Sequence, residues 1–167
     1  MEDSLVRNIL VELENLLKIV SILRNEGKKI VFTTGAYDII HSGHIDYFDK
    51  ARELGDVLVV GLHSNSLIEK RKGPGRPLNN EAKRIKVLSG IYLVDYLIVI
   101  NNFDNLYKII NFLLPDVLVV SETNKGEKDN SPEIMDILFG EIMDVIMLPE
   151  QSKEHSTDFI KIIKNSQ

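Results

Sequence analysis

Residues 29–54 read KIVFTTGAYDIIHSGHIDYFDKAREL, and the order of residue types in this stretch decides the fold. Ile30-Val31-Phe32-Thr33-Thr34 is a β-branched and aromatic run, the composition of a buried strand. Gly35 breaks it, as glycine does where backbone turns sharply or approaches a ligand closely. His41-Ser42-Gly43-His44 follows, and then Ile45, Tyr47, Phe48, Ala51 and Leu54 recur at helical spacing, with Gly55 as the stop. The chain therefore runs strand, glycine turn, paired histidines, helix. Such a unit brings two imidazoles and a helix N-terminus to one place. Free N–H groups and partial positive charge at a helix start suit a phosphate, and histidines there donate hydrogen bonds and become charged near neutral pH. The local reading is a phosphate-handling site.

Outward from that unit, 167 residues are enough for one domain with a sizeable core and too few for two ordinary ones. A hydrophobic content of 44% and a charged content of 27% are globular values. The net charge of -5 argues against nucleic acid as the main partner. The absence of cysteine excludes disulfides, thiolate zinc sites and cysteine nucleophiles, and fits a cytoplasmic protein. The first residues, MEDSLVRNILVELENLL, start acidic and carry Glu12, Glu14 and then Lys18 within their apolar pattern. They read as neither a signal peptide nor a membrane span, so no membrane partner is expected.

Over residues 4–26, Val6, Ile9, Leu10, Leu13, Leu16, Leu17, Val20 and Leu23 recur at three- and four-residue steps. That predicts one amphipathic helix with Ser4 as cap and Gly27 as its end, packed on the domain or joining a second subunit. The expected division is an N-terminal helix over 1–27 and a single domain over 28–167. After the histidine unit come a near-continuous apolar strand over 56–62, a short helix after Ser64, and a loop over 70–77. A helix from Asn79-Asn80-Glu81 to Gly90, a strand over 96–100 and a helix over 103–112 continue the alternation. A strand over 117–120, a polar loop over 121–131, a helix over 132–139, a strand over 145–148 and a final helix over 156–164 complete it. Continuous apolar strands alternating with helices predict a Rossmann-like, doubly wound, five-stranded parallel sheet in a three-layer α/β/α sandwich. Ligands in such sheets sit beyond the carboxyl ends of the strands, where the histidine loop and the loops over 121–131 and 149–157 belong.

Several residues on that rim carry chemistry. Residues 70–76, KRKGPGR, are a basic loop fixed by glycine and proline, read either as a solvated surface or as a closure over a polyphosphate. Arg84 has the geometry for a bidentate phosphate contact. Ser156-Thr157 starts the last helix, as an N-cap, a phosphate contact or both. Asp38 stands three residues before His41, where a carboxylate orients an imidazole or approaches a bound Mg²⁺. A metal site formed by the histidine pair, His63 and a carboxylate is a competing reading of the same residues, although the strand–glycine–helix context favours phosphate.

The ordered set TGAYDIIHSGH, KGPGRP, Arg84, Val94-Asp95 and Ser156-Thr157 resembles the cytidylyltransferase-like nucleotidyltransferases, from residue 29 to the end of the chain. Within them it is most similar to the adenylyltransferases that activate heptose 1-phosphate, on the KGPGRP loop and the helix leading into GKKIVFT; the glycerol-3-phosphate cytidylyltransferases are the next branch. The resemblance implies that His41 and His44 are catalytic and stabilise the nucleotide's phosphates. Lys72, Arg84, Ser156 and Thr157 would hold the triphosphate. Thr34, Gly35, Ala36 and Tyr37 would line the nucleotide site largely through backbone, with Asp38 beside them and Asp95 close to the site or supporting it. The implied partners are a nucleoside triphosphate, ATP or CTP, with Mg²⁺, and a phosphorylated sugar or alcohol. The protein is expected to be a homodimer.

Four positions depart from the pattern. Tyr37 replaces the usual phenylalanine, Asn65 stands where an aspartate is frequent, Ser121-Glu122-Thr123 replaces a glycine and an acidic pair, and EQSKEH before Ser156 lacks the usual arginine. These concern acceptor and base more than the transfer itself. The readings that follow are ATP with a sugar phosphate, CTP with a polyol phosphate, a nucleotide-binding regulatory module without turnover, and a fragment of a class I aminoacyl-tRNA synthetase. Product formation separates the first three; tight tRNA binding marks the last.

Overall fold

A computed structural model of the chain describes residues 10–124 and 132–149. The strands are β1 (Ile30–Gly35), β2 (Val57–His63), β3 (Tyr96–Ile100), β4 (Val117–Ser121) and β5 (Asp144–Leu148). All pair in parallel, in the order β3-β2-β1-β4-β5. Helices α1 (Leu13–Asn25), α2 (Ser42–Arg52), α3 (Asn65–Lys72), α4 (Glu81–Ser89), α5 (Phe103–Leu113) and α6 (Pro132–Phe139) complete the described elements.

Strand alternation sorts the apolar residues onto two faces. Phe32, Val59, Ile98, Ile100 and Leu118 pack with Leu16 and Val20 of α1 and with Leu106, Ile109 and Ile110 of α5. Val31, Leu58, Val60, Leu62, Val117 and Val119 pack with Phe48 and Ala51 of α2 and with Leu88 of α4. Because β2 is covered on both faces, every residue of it is buried, which is why it reads as an unbroken apolar run. The expected three-layer α/β/α sandwich is present.

The strand order reverses between β1 and β4, which opens a crevice beyond their carboxyl ends. The loop leading from β1 into α2 enters one side of it, and the 3-10 turn Glu122–Asn124 after β4 stands on the other.

Two expectations are corrected. The first helix does not run continuously from Ser4: it starts at Leu13, because Leu10 pairs in parallel with Leu97 and the Val11 N–H donates to the Leu97 carbonyl at 2.9 Å. Backbone pairing covers the open edge of β3 and overrides the helical periodicity of that segment. Residues 70–72 are not loop but the last turn of α3, which the Ser64 hydroxyl caps by accepting from Leu67 N–H. Ser4 and the final helix expected over 156–164, with Ser156 and Thr157, lie outside the described residues.

Candidate active site

The His41–His44 unit is built from the helix start outward. His41 has extended backbone and caps α2. Its N–H donates to Nδ1 of His44 at 3.4 Å, while the His44 N–H donates to the His41 carbonyl at 3.0 Å. The two ring centres are 4.0 Å apart. With Nδ1 accepting, the proton of a neutral His44 sits on Nε2, so the ring offers one N–H donor. Burial, helped by the neighbouring His41 and the charge of Lys72, lowers the His44 pKa to about 4. The helix start thereby brings the two histidines together, and the charge of Lys72 reaches His44.

Tyr37 supports this unit from below. It is buried, its ring meets His44 edge-on at 5.5 Å and Phe48 at 5.1 Å, and burial raises its phenol pKa well above the ordinary value. A side chain at position 35 would come within 2.7 Å of the Tyr37 ring, which explains Gly35. Tyr37 adopts φ 46°, a left-handed conformation that is strained for a residue with a side chain. Thr34 spends its hydroxyl on the Gly61 carbonyl at 2.9 Å, and the Ala36 carbonyl accepts from Arg84 at 2.8 Å.

Asp38 fastens the glycine-rich loop to the β1 loop. Its carboxylate accepts from Leu78 N–H at 2.9 Å and Asn79 N–H at 2.8 Å, its carbonyl accepts from the Asn79 amide at 2.7 Å, and Arg76 pairs with it at 3.3 Å. The carboxylate therefore does not orient a histidine, and its oxygens are already occupied. Among the described residues no group of three or more potential metal ligands forms.

Arg84 differs from the expected phosphate ligand. It is 1% exposed, and it donates to the carbonyls of Asn79 at 3.0 Å, Ala36 at 2.8 Å and His63 at 2.7 Å and to Oδ1 of Asn65 at 2.9 Å. Four of its five N–H groups are spent on holding the ends of β1 and β2 to the starts of α3 and α4. Its hydrogen-bond acceptors are all neutral, while the carboxylates of Glu81 and Asp38 act on its charge from nearby.

Asp95 is a second correction, since the structure does not bring it to the rim. It precedes β3 at the amino ends of the strands, accepts from Leu58 N–H at 2.8 Å and forms an ion pair with Arg52. Ser121 lies at the rim, its hydroxyl 2.8 Å from that of Thr123.

Sequence reasoning passed over His63, apart from the metal reading, and never gave Arg71, Arg76 or Phe103 a role of its own. His63 ends β2 and is 1% exposed; Nδ1 lies 3.2 Å from an Arg71 nitrogen, and Nε2 is buried with no hydrogen-bond partner. Because guanidinium only donates, Nδ1 accepts and Nε2 carries the proton. Burial lowers the His63 pKa to about 3, helped by Arg71, Lys72 and Arg84. A buried orphan donor costs about 1–3 kcal/mol. The readable signal was a polar residue closing an otherwise apolar strand at the ligand-binding end.

The family model described as cytidylyltransferase-like matches residues 32–160, more than half of the chain. A bifunctional protein HldE from Campylobacter concisus is 36% identical over 156 residues, 93% of this chain and 31% of that protein. Its counterpart from Campylobacter jejuni subsp. doylei is 45% identical over 102 residues, 61% of this chain and 22% of that protein. The chain thus spans between a fifth and a third of the length of these relatives. Among solved structures, a lipopolysaccharide core biosynthesis protein from Thermoplasma volcanium superposes with TM-score 0.61 at 24% identity, covering 77% of this chain and all of that one. Pantoate-beta-alanine ligase from Francisella tularensis gives 0.64 at 17% identity, covering 93% and 77%. Both likenesses concern the fold alone.

Proposed function

The chain belongs to the cytidylyltransferase-like family and is a nucleotidyltransferase by that membership, and from this premise we propose that it transfers an adenylyl group from ATP to a sugar phosphate such as heptose 1-phosphate. A phosphate oxygen of the acceptor attacks the α-phosphorus, the bond from that phosphorus to the bridging oxygen breaks, and pyrophosphate leaves. The observation that carries the reading is His44: a neutral imidazole with its proton set on Nε2, within the field of Lys72, at the start of α2 and the edge of the β1–β4 crevice.

The acceptor needs no strong base, because a phosphate monoester with a second pKa of about 6 is largely dianionic at neutral pH. What remains is alignment and the stabilisation of charge on the α-phosphate and the leaving group. Nε2–H of His44 donates to that charge, and the arriving phosphates raise the ring's low pKa so that it gains positive character as charge develops. Lys72 contributes a compact cation. Arg84 and Asp38 act below the ligand by fixing the two loops that flank it. Ser156 and Thr157 are carried in this proposal as further triphosphate contacts.

With the Asp38 oxygens engaged, the described residues offer no carboxylate cage, so the Mg²⁺ of this proposal arrives on the nucleotide's phosphates, as that ion commonly does. It would neutralise charge on the β- and γ-phosphates. Cytoplasmic location and a homodimer that uses part of the segment over 1–27 belong to the same proposal. No helix among the described residues is long and apolar enough to cross a membrane.

Calorimetric titration with ATP and with CTP, each with Mg²⁺, tests base choice. Tighter binding of ATP is the expected result. Preference for CTP overturns the adenylyl reading in favour of a polyol phosphate cytidylyltransferase. Binding of either nucleotide without pyrophosphate release, whatever the acceptor, would make the chain a regulatory module instead.

A further inference from the structure

Three buried hydroxyls meet beneath the crevice, on the face of β1 that packs against α2. Thr33 is fully buried and pairs in register with Val119 where β1 joins β4. Its hydroxyl donates to the Val119 carbonyl at 2.9 Å and lies 2.8 Å from the Tyr47 hydroxyl, which itself stands 3.4 Å from the same carbonyl. With its one proton given to Val119, the Thr33 oxygen accepts from Tyr47. The ring of Tyr37 lies over Gly35, on the same face of β1 as Thr33. There a hydrogen bond with Thr33 partly offsets the effect of burial on the Tyr37 phenol. Burial raises both phenols above their ordinary range, so both stay protonated and able to donate.

We propose that Thr33, Tyr37 and Tyr47 are positioning residues for the transfer: one hydroxyl ties the helix that carries His44, and the ring on which His44 rests, to the strand on the far side of the crevice. The inference rests on the transferase reading and deepens it. Tyr47 follows His44 by one turn, on the same side of α2. Tyr37 meets the His44 ring edge-on at 5.5 Å and the Phe48 ring at 5.1 Å, from a left-handed backbone conformation. Val119 belongs to β4, which ends at Ser121 on the rim. Contacts from α2, from the β1 loop and from β4 thus converge on the Thr33 oxygen.

The physical case lies in what apolar packing leaves undecided. Phe48 and Ala51 hold α2 on the sheet through contacts that have no preferred direction, and these alone tolerate small shifts of the helix. A displacement of about 1 Å at a reacting group costs about 10²-fold in rate. Buried hydrogen bonds select one arrangement, because a shift that breaks one leaves a polar group unsatisfied at about 1–3 kcal/mol. Phenylalanine at position 37 or 47 would fill nearly the same space with no polar atom to satisfy. The two phenols therefore supply direction more than bulk, and Tyr37 does so where the resembled family usually has phenylalanine.

The test measures steady-state pyrophosphate release with Mg²⁺, ATP and heptose 1-phosphate, together with titration of the His44 ring by NMR. Tyr37→Phe and Tyr47→Phe should each lower kcat about tenfold or more while KM for ATP stays within about twofold. Thr33→Ser, which keeps the hydroxyl, should hold kcat within about threefold of the parent, and Thr33→Val should fall at least as far as either tyrosine variant. Because all act through one oxygen, Tyr47→Phe added to Thr33→Val should cost little more. In both tyrosine variants the His44 pKa should rise from about 4 toward its ordinary value as the ring gains freedom and water. If both tyrosine variants keep kcat within about twofold of the parent and lose only melting temperature, the inference is overturned. So it is if Thr33→Ser is as impaired as Thr33→Val, which would make side-chain shape the requirement and not the hydroxyl. Absence of turnover in the wild-type protein would instead strike the transferase reading. The His44 titration then decides alone, and a pKa unmoved in both tyrosine variants rejects the positioning role.

Discussion

At the amino ends of the strands Arg52 is bonded to the Asp95 carboxylate, whereas at the carboxyl end of β2 Arg84 and Arg71 are bonded to a neutral amide and a neutral imidazole. Within a few residues of the site Arg76 follows the first manner, pairing with Asp38. Residue types are similar at both ends of the sheet. What differs is the partner of the described hydrogen bond, a carboxylate for Arg52 and a neutral group for Arg84 and Arg71. The carboxylate pairs fasten backbone: Asp95 also takes Leu58 N–H, and Asp38 takes Leu78 and Asn79 N–H. At the carboxyl end of β2 the charges of Arg71, Lys72 and Arg84 together act on His63.

Breaking the rim should have the largest effect. His44→Ala removes the donor to the developing charge, so turnover should fall about 10²–10⁴-fold with the melting temperature within a few degrees of the parent; pyrophosphate release together with thermal unfolding checks both. Asp38→Ala strands Arg76, whose Nε is already buried without a partner, and frees two backbone donors. A loss of about 3–5 kcal/mol in urea unfolding is expected, the cost of breaking a buried pair.

Most of the frame was legible in the sequence. Strand, glycine, histidine pair and helix follow from residue order in 29–54, and the parallel sheet from the apolar runs. Missed features belong to tertiary contact. That Leu10 and Val11 serve the edge of β3 depends on a partner nearly ninety positions away, which periodicity does not register. Arg84 reads as a phosphate ligand by type, yet its donors go to carbonyls from three separate segments. Asp95 was drawn to the site by the resemblance, and only the parallel register puts the residue before β3 at the far end.

Smaller effects sharpen the contrast. Asp95→Asn should cost about 1–3 kcal/mol of stability and leave kcat/KM within about twofold, because Asp95 lies at the amino ends of the strands, opposite the crevice. Steady-state kinetics beside denaturant unfolding would show it, and a large kinetic loss would return Asp95 to the site.

The pH dependence follows from His63. Its folded pKa of about 3 lies below the unfolded value of about 6.5. Above the unfolded value the ring is neutral in both states and costs nothing. As pH falls, the unfolded chain takes up the proton first, so stability declines from about pH 6.5 toward pH 3. By pH 4.5 the difference between the parent and His63→Asn should have shifted by about 3 kcal/mol against the parent. Parallel unfolding curves between pH 7 and 4.5 would mean that the ring is not held neutral.

The most direct test of the whole account is pyrophosphate release by the wild-type protein with Mg²⁺ and ATP, with and without heptose 1-phosphate. Release that requires the acceptor is the predicted result. Absence of release with this acceptor and with glycerol 3-phosphate, using ATP or CTP, would contradict the assignment of the rim as a nucleotidyl transfer site.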